Sequence, residues 1–231
     1  MTHPRIDQAV IDLYDAYTHT PLPRRVFLDR LTALVGGSAA ATALLPLLEN
    51  NYARAAMVAE TDVRISVERV AYPSPGGPMR AYLAAPAGTA KVPAVMVIHE
   101  NRGLNAHIED VTRRAAVAGF LAVAPDGLSP LGGTPADPDA ARELIGKLDR
   151  PATIANLVAG VAFAAKHPRS TGKVGVVGFC WGGGMSNQMA VHAQSVGLAA
   201  AAPFYGSQAS AEDAAKIKVP LQLHYAGIDE R

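Results

Sequence analysis

Residues 174–183 read Val174-Gly175-Val176-Val177-Gly178-Phe179-Cys180-Trp181-Gly182-Gly183, and a segment of helical period, 185–196, follows them. An apolar run enters a G-x-C-x-G sequence that opens onto a helix. Flanking glycines permit the tight, strained turn that lifts one side chain above the end of a sheet, and the amino end of a helix favours a thiolate there. The stretch predicts a strand, a nucleophile elbow with cysteine in place of serine, and a helix. The alternative for Cys180 is a buried structural thiol, a common fate of lone cysteines.

Outward from this elbow the same alternation repeats. Apolar runs at 92–98, 120–124, 174–178, 198–204 and 221–225 suit strands buried on both faces of a parallel sheet. Between them lie segments of helical period: 108–118, with Ile108, Val111, Ala115 and Ala118 on one face, then 140–148, 154–166 and 185–196. Upstream, 64–72 and 79–84 flank Pro73-Ser74-Pro75-Gly76-Gly77-Pro78 and read as an antiparallel pair. The expectation is an α/β chain with a doubly wound, mostly parallel sheet and an antiparallel amino-terminal edge.

Ligand crevices in open α/β sheets lie at the carboxyl ends of the strands. The run at 92–98 ends in His99-Glu100-Asn101-Arg102-Gly103. In α/β-hydrolases the loop after this strand supplies one oxyanion-hole amide and the residue after the nucleophile supplies the other, which nominates Asn101 and Trp181. Glu100 then lies beside the thiol, where a carboxylate can take its proton; a plain solvated glutamate is the alternative. The last run leads to Gly227-Ile228-Asp229, an acid placed after the nucleophile in chain order, as for the group that orients a catalytic imidazole.

No histidine follows Asp229. His192 lies twelve residues beyond Cys180 on the same predicted helix, roughly 18 Å away at 1.5 Å per residue, and cannot reach the thiol. His167 precedes a strand and falls at the wrong edge of the sheet, while His3 and His19 belong to the leader. His99 is at a strand end without an assignable role, His107 opens a helix as surface or pocket wall, and His224 reads as a satisfied core histidine. The expectation is that the carboxy-terminal part of the domain, about sixty residues with a final helix or two and the histidine, is absent from this chain.

Composition closes off other classes. Twenty-one Lys plus Arg against 20 Asp plus Glu give a net charge of +1, which offers no basic excess for nucleic acid. With 49% hydrophobic and 18% charged residues the chain is not disordered. A single cysteine excludes an internal disulfide or a cysteine-based zinc finger, and leaves a thiol redox cycle without a resolving partner. No metal or organic cofactor is implied.

The first sixty residues differ in character. Arg24-Arg25, the charge-free stretch 31–48 and Ala53-Arg54-Ala55 together resemble a twin-arginine export signal. Pro23, Asp29 and the acidic positions Asp7, Asp12 and Asp15 depart from that pattern. The expected division is 1–60 as leader or helical extension and 61–231 as the α/β domain. Export implies a periplasmic location; a retained helical extension implies a cytoplasmic one. Gly36, Gly37, Ser38 and Pro46 argue against a stable membrane span.

From about residue 61 to 231, the chain resembles the dienelactone hydrolase (carboxymethylenebutenolidase) family of the α/β-hydrolase fold. The motifs are His99-Glu100-Asn101-Arg102-Gly103-Leu104, Ala124-Pro125-Asp126-Gly127, Gly178-Phe179-Cys180-Trp181-Gly182-Gly183, Pro203-Phe204-Tyr205-Gly206 and Gly227-Ile228-Asp229. The resemblance implies a Cys-His-Asp triad with a glutamate switch, carried here onto Cys180, Asp229 and Glu100, with the family's histidine unmatched. It implies hydrolysis of a small-molecule lactone or ester through an acyl-enzyme. A carboxylate-bearing substrate calls for an arginine clamp, for which Arg102 and Arg142 are the candidates; an ordinary surface position is the alternative for each. A catalytically impaired fragment, or a non-catalytic ligand-binding module of the same fold, is the competing reading of the whole chain.

Overall fold

The computed structural model describes residues 6–20, 22–48 and 56–227. They form two compact units, Met1–Ala55 and Ala56–Arg231.

The first unit holds three helices, α1 (Gln8–His19), α2 (Arg24–Val35) and α3 (Ser38–Leu48). Asp7 caps α1 by accepting the Ala9 amide, and Gly36, at φ 78°, closes α2 in the left-handed region that glycine adopts without penalty. Val10, Tyr17, Phe27, Leu31 and Ala41 form its buried core. The Tyr17 and Phe27 rings stack with centroids 4.3 Å apart. The arginine pair of the leader occupies the first turn of α2, where Arg24 Nη1 donates to Tyr17 Oη at 3.3 Å. Among the described residues no helix is long and apolar enough to cross a membrane.

The second unit is built on a six-stranded sheet: β1 (Ile65–Tyr72), β2 (Met79–Pro86), β3 (Val92–Ile98), β4 (Leu121–Pro125), β5 (Ser170–Phe179) and β6 (Leu198–Phe204), in the order β1-β2-β4-β3-β5-β6. β1 and β2 pair antiparallel, β2 meets β4 antiparallel, and β4, β3, β5 and β6 run parallel. Helices α4 (Ala106–Val117), α5 (Pro138–Ile145), α6 (Arg150–Lys166), α7 (Trp181–His192) and α8 (Ala211–Ala214) connect them. The α/β sheet with an antiparallel amino-terminal edge is the architecture expected from the sequence.

Alternation along the strands divides the core between the two faces. Met96 and Ile98 of β3 and Leu121 and Val123 of β4 point to one face, where Leu157 and Val161 of α6 and Met185 and Met189 of α7 cover them. Val97, Ala124, Tyr82 and Ala84 point to the other, packed against Ile108 and Ala116 of α4. Burying each large side chain of this kind contributes about 1.5–3 kcal/mol, so the two layers lock the parallel strands in register and fix the height of their carboxyl ends.

The second unit spans Ala56–Arg231. The Met57 and Val58 amides donate to the buried Asp110 carboxylate at 3.0 and 2.9 Å, and Arg113 Nε returns a hydrogen bond to the Val58 carbonyl at 2.7 Å, tying this segment to α4. The strand expected at 221–225 does not form: its ladder pairing with β6 is limited to isolated bridges at Leu221 and His224. Its consecutive residues Gln222 and Leu223 are both exposed, so it lacks the two-sided burial that its composition suggested.

Candidate active site

Cys180 stands between the last residue of β5 and the first of α7 with φ 54° and ψ −114°, a backbone conformation that costs a non-glycine residue about 1–3 kcal/mol. The turn is held from both sides. Its amide donates to the Phe204 carbonyl of β6 at 3.1 Å, and its own carbonyl accepts the Gly184 amide at 3.1 Å. Glycine is required at 182 because a Cβ there would run into the backbone carbonyls of Ile98 and His99, so α7 starts directly against the end of β3. Cys180 is half-buried.

The neighbouring strands bring their own end residues to the same place. β3 and β5 pair Ile98 with Gly178, so Glu100 and Cys180 each lie two residues beyond a matched pair. β5 and β6 pair Phe179 with Phe204, which sets Tyr205 beside Cys180. Tyr205 has φ 37°, and it and Cys180 are the two non-glycine residues of positive φ among the described residues. Its amide donates to the His224 carbonyl at 2.8 Å and its Oη donates to Glu100 Oε1 at 3.1 Å. A carboxylate, a thiol and a phenol thus occupy three adjacent strand ends.

His99 is fully buried behind this row. Its Nε2 accepts the Gly127 amide at 3.0 Å, so the proton is on Nδ1, which donates to the Glu100 carbonyl at 2.6 Å. The ring stacks on Trp181, centroids 5.0 Å apart. Burial pushes its pKa below the usual histidine value and holds the ring neutral. Both nitrogens are engaged, so His99 is a brace for the Glu100 backbone and not a base.

A second brace fixes the loop that follows. Asp126 is buried and accepts from the Leu128 amide at 3.1 Å, the Thr134 amide at 2.9 Å and Thr134 Oγ1 at 2.7 Å. Thr134 Oγ1 in turn accepts the Leu104 amide at 2.9 Å. The loop 99–104 is therefore tied to the loop after β4 at both ends.

Of the residues proposed from sequence, Cys180, Glu100, Asn101, Arg102 and Trp181 come together at the ends of β3 and β5. The Arg102 Nη2 is buried with no hydrogen-bond partner among the described residues. Arg142 is on α5, 3.9 Å from Asp139 one turn earlier, with both side chains only 14% exposed. A cavity of about 190 Å³ is lined instead by Arg150, with Ile145, Leu148, Thr153, Trp181 and Met185. Asp229 lies outside the described residues. His107 is in the first turn of α4 and His192 ends α7. His224 departs from the core reading: it is half-buried, its ring stacked on Phe204 at 4.0 Å. Among the described residues no cluster of three or more His, Cys, Asp and Glu side chains is poised for a metal. Sequence reasoning missed Tyr205, Arg150 and the bracing roles of His99 and Asp126; the Asp126-Gly127 and Tyr205-Gly206 motifs were the available signals.

Comparison with known proteins assigns the family and the fold. The model of the dienelactone hydrolase family matches residues 79–231, and a YqhI-like model matches residues 1–36. The Escherichia coli K12 protein designated hydrolase fragment YghX is 54% identical over 112 residues, 47% of this chain and 96% of that one. A Salmonella typhi protein designated a carboxymethylenebutenolidase is 34% identical over 155 residues, 65% of this chain. The match spans only 56% of that relative's length. Among solved structures, one designated a dienelactone hydrolase of Klebsiella pneumoniae is 29% identical, covers 69% of this chain and 71% of that one, and superposes with a TM-score of 0.57. The metagenomic dienelactone hydrolase-like phosphotriesterase P91, at 24% identity over 72% of this chain and 71% of that one, shares the fold with a TM-score of 0.63. The chain belongs to the dienelactone hydrolase family.

Proposed function

We propose that this protein hydrolyses a lactone or carboxylic ester of a small molecule through Cys180. The observation that carries the reading is the strained backbone of Cys180 at the junction of β5 and α7, in register with Glu100. Strain of this kind persists only where surrounding structure holds it, and it presents the sulfur to the crevice at the strand ends. The Glu100 carboxylate takes the thiol proton. The sulfur adds to the carbonyl carbon, and the oxyanion accepts hydrogen bonds from the Asn101 and Trp181 amides. The alkoxide leaves with a proton, and water then hydrolyses the thioester. Asp229 is assigned as the triad acid by family resemblance. The unpartnered Arg102 Nη2 supplies a donor for a substrate carboxylate, a role that the Asp139-paired Arg142 fills less well.

A non-catalytic ligand-binding module is the second reading. It is favoured by the state of His99, whose two ring nitrogens are both engaged and which therefore cannot serve Cys180 as base. Release of p-nitrophenol from a short-chain ester, lost in Cys180→Ala, supports hydrolysis; ester binding without turnover in either protein favours the module.

For location, the Arg24-Arg25 pair supports twin-arginine export. The apolar core of Tyr17, Phe27 and Leu31 supports a retained helical extension. Amino-terminal sequencing of protein from the periplasmic and cytoplasmic fractions decides between them: a new terminus after Ala55 in the periplasm is the export outcome, and an intact leader in the cytoplasm is the other.

A further inference from the structure

We propose that Tyr205 is a positioning residue for Glu100, holding its carboxylate toward the Cys180 thiol. The inference rests on the reading of Cys180 as nucleophile and adds a residue to that same site.

Tyr205 is poorly explained as packing. It is 44% exposed, although it keeps a positive φ that a tyrosine adopts only under constraint. Two contacts supply the constraint. The His224 carbonyl takes its amide, and the Phe179 ring lies 6.5 Å from its own ring at 42°. The outcome is a phenol whose hydroxyl reaches a residue 105 positions earlier in the chain, Glu100 Oε1 at 3.1 Å. A relaxed backbone at 205 would redirect the ring and lose that bond.

The bond has a chemical consequence. A phenol donor fixes one carboxylate oxygen, so that the other is left to meet the thiol proton. Other titratable or charged groups surround this end of the sheet: Cys180 on the β5 turn, His99 and Arg102 on the β3 side, Asp126 after β4 and His224 beside Phe204. His99 is neutral, and Asp126 is occupied by Thr134 and Leu128. Tyr205 is the group seen to hydrogen-bond the Glu100 carboxylate itself.

Alkylation of Cys180 by iodoacetamide reads this arrangement without needing turnover. Glu100 accepts the thiol proton, the sulfur forms the C–S bond, iodide departs with the C–I electron pair, and the proton passes from Glu100 to water. Cys180 is the sole cysteine, so the rate is unambiguous. In Tyr205→Phe alkylation at fixed neutral pH is about three- to tenfold slower, as expected for loss of one hydrogen bond that orients the base. In a Glu100→Gln background the same substitution has no effect on the rate. An unchanged rate in Tyr205→Phe, with circular dichroism showing a folded protein, overturns the proposal; so does a slowing that persists in Glu100→Gln. Neither result bears on ester turnover in Cys180→Ala, which tests the nucleophile separately.

Discussion

The His99 imidazole lies face to face with the Trp181 indole, centroids 5.0 Å apart and planes 14° from parallel. This contact joins the end of β3, which carries Glu100, to the residue that follows Cys180. Between the two nucleophile-side elements there is a neutral, fully buried ring that hydrogen-bonds both neighbouring loops.

His99 therefore makes stability depend on pH. Its folded pKa lies below the ordinary value through burial, so the unfolded chain takes up a proton that the folded one refuses. The contribution is complete above about pH 6.5, the unfolded value, and is lost as pH falls from there through the folded pKa. Urea unfolding from pH 8 to 5 is expected to show stability falling on the acid side. In His99→Gln the protein is less stable at pH 8 and the slope is flatter; equal slopes in both proteins refute this role.

Asp126 offers a test of the loop brace. Asp126→Ala leaves the Leu128 amide and both Thr134 donors without their acceptor. Leaving buried donors unsatisfied costs about 1–3 kcal/mol each before relaxation or water entry, so an overall loss of about 2–4 kcal/mol is expected by urea titration. Alkylation of Cys180 should also slow, because the loop carrying Glu100 loses its anchor at Thr134. A loss under about 1 kcal/mol would show that the brace is dispensable.

Gly182→Ala tests the close approach of α7 to β3. The added Cβ meets backbone carbonyls and not a flexible side chain, so the helix must move. A cost of about 1–3 kcal/mol or more is expected, with loss of Cys180 reactivity even where the variant folds. A variant with unchanged stability and alkylation rate contradicts the geometry.

Arg102 is expected to act on binding and not on chemistry. Arg102→Leu should raise KM about ten- to a hundredfold for an ester that carries a carboxylate, in line with a hydrogen bond to a charged group, and leave a neutral ester nearly unaffected. Equal effects on both esters would mean that its unpartnered Nη2 does not meet the substrate.

Much of the frame was legible in the sequence, for physical reasons that also explain the gaps. β3 and β6 fall at the expected residues because buried parallel strands are continuous apolar runs bounded by polar or Gly/Pro residues. β5 begins at Ser170, four residues before its apolar part, because pairing of Val92 with Ser170 extends the ladder through residues that composition marks as loop. The segment at 221–225 has strand composition without strand burial. At the site, the glycine spacing around Cys180 reports a local constraint and was readable. The Tyr205–Glu100 bond and the Gly127–His99 bond span 105 and 28 residues, and their chemistry exists only once the strand ends are adjacent. No local pattern encodes them.

Intact-protein mass spectrometry after brief exposure to p-nitrophenyl acetate tests the nucleophile most directly. The account predicts one acetyl group per folded molecule, located on Cys180 by peptide mapping and absent from Cys180→Ser at the pH where the wild type reacts. A folded protein that releases p-nitrophenol with no adduct at Cys180 and equally well in Cys180→Ala would contradict it.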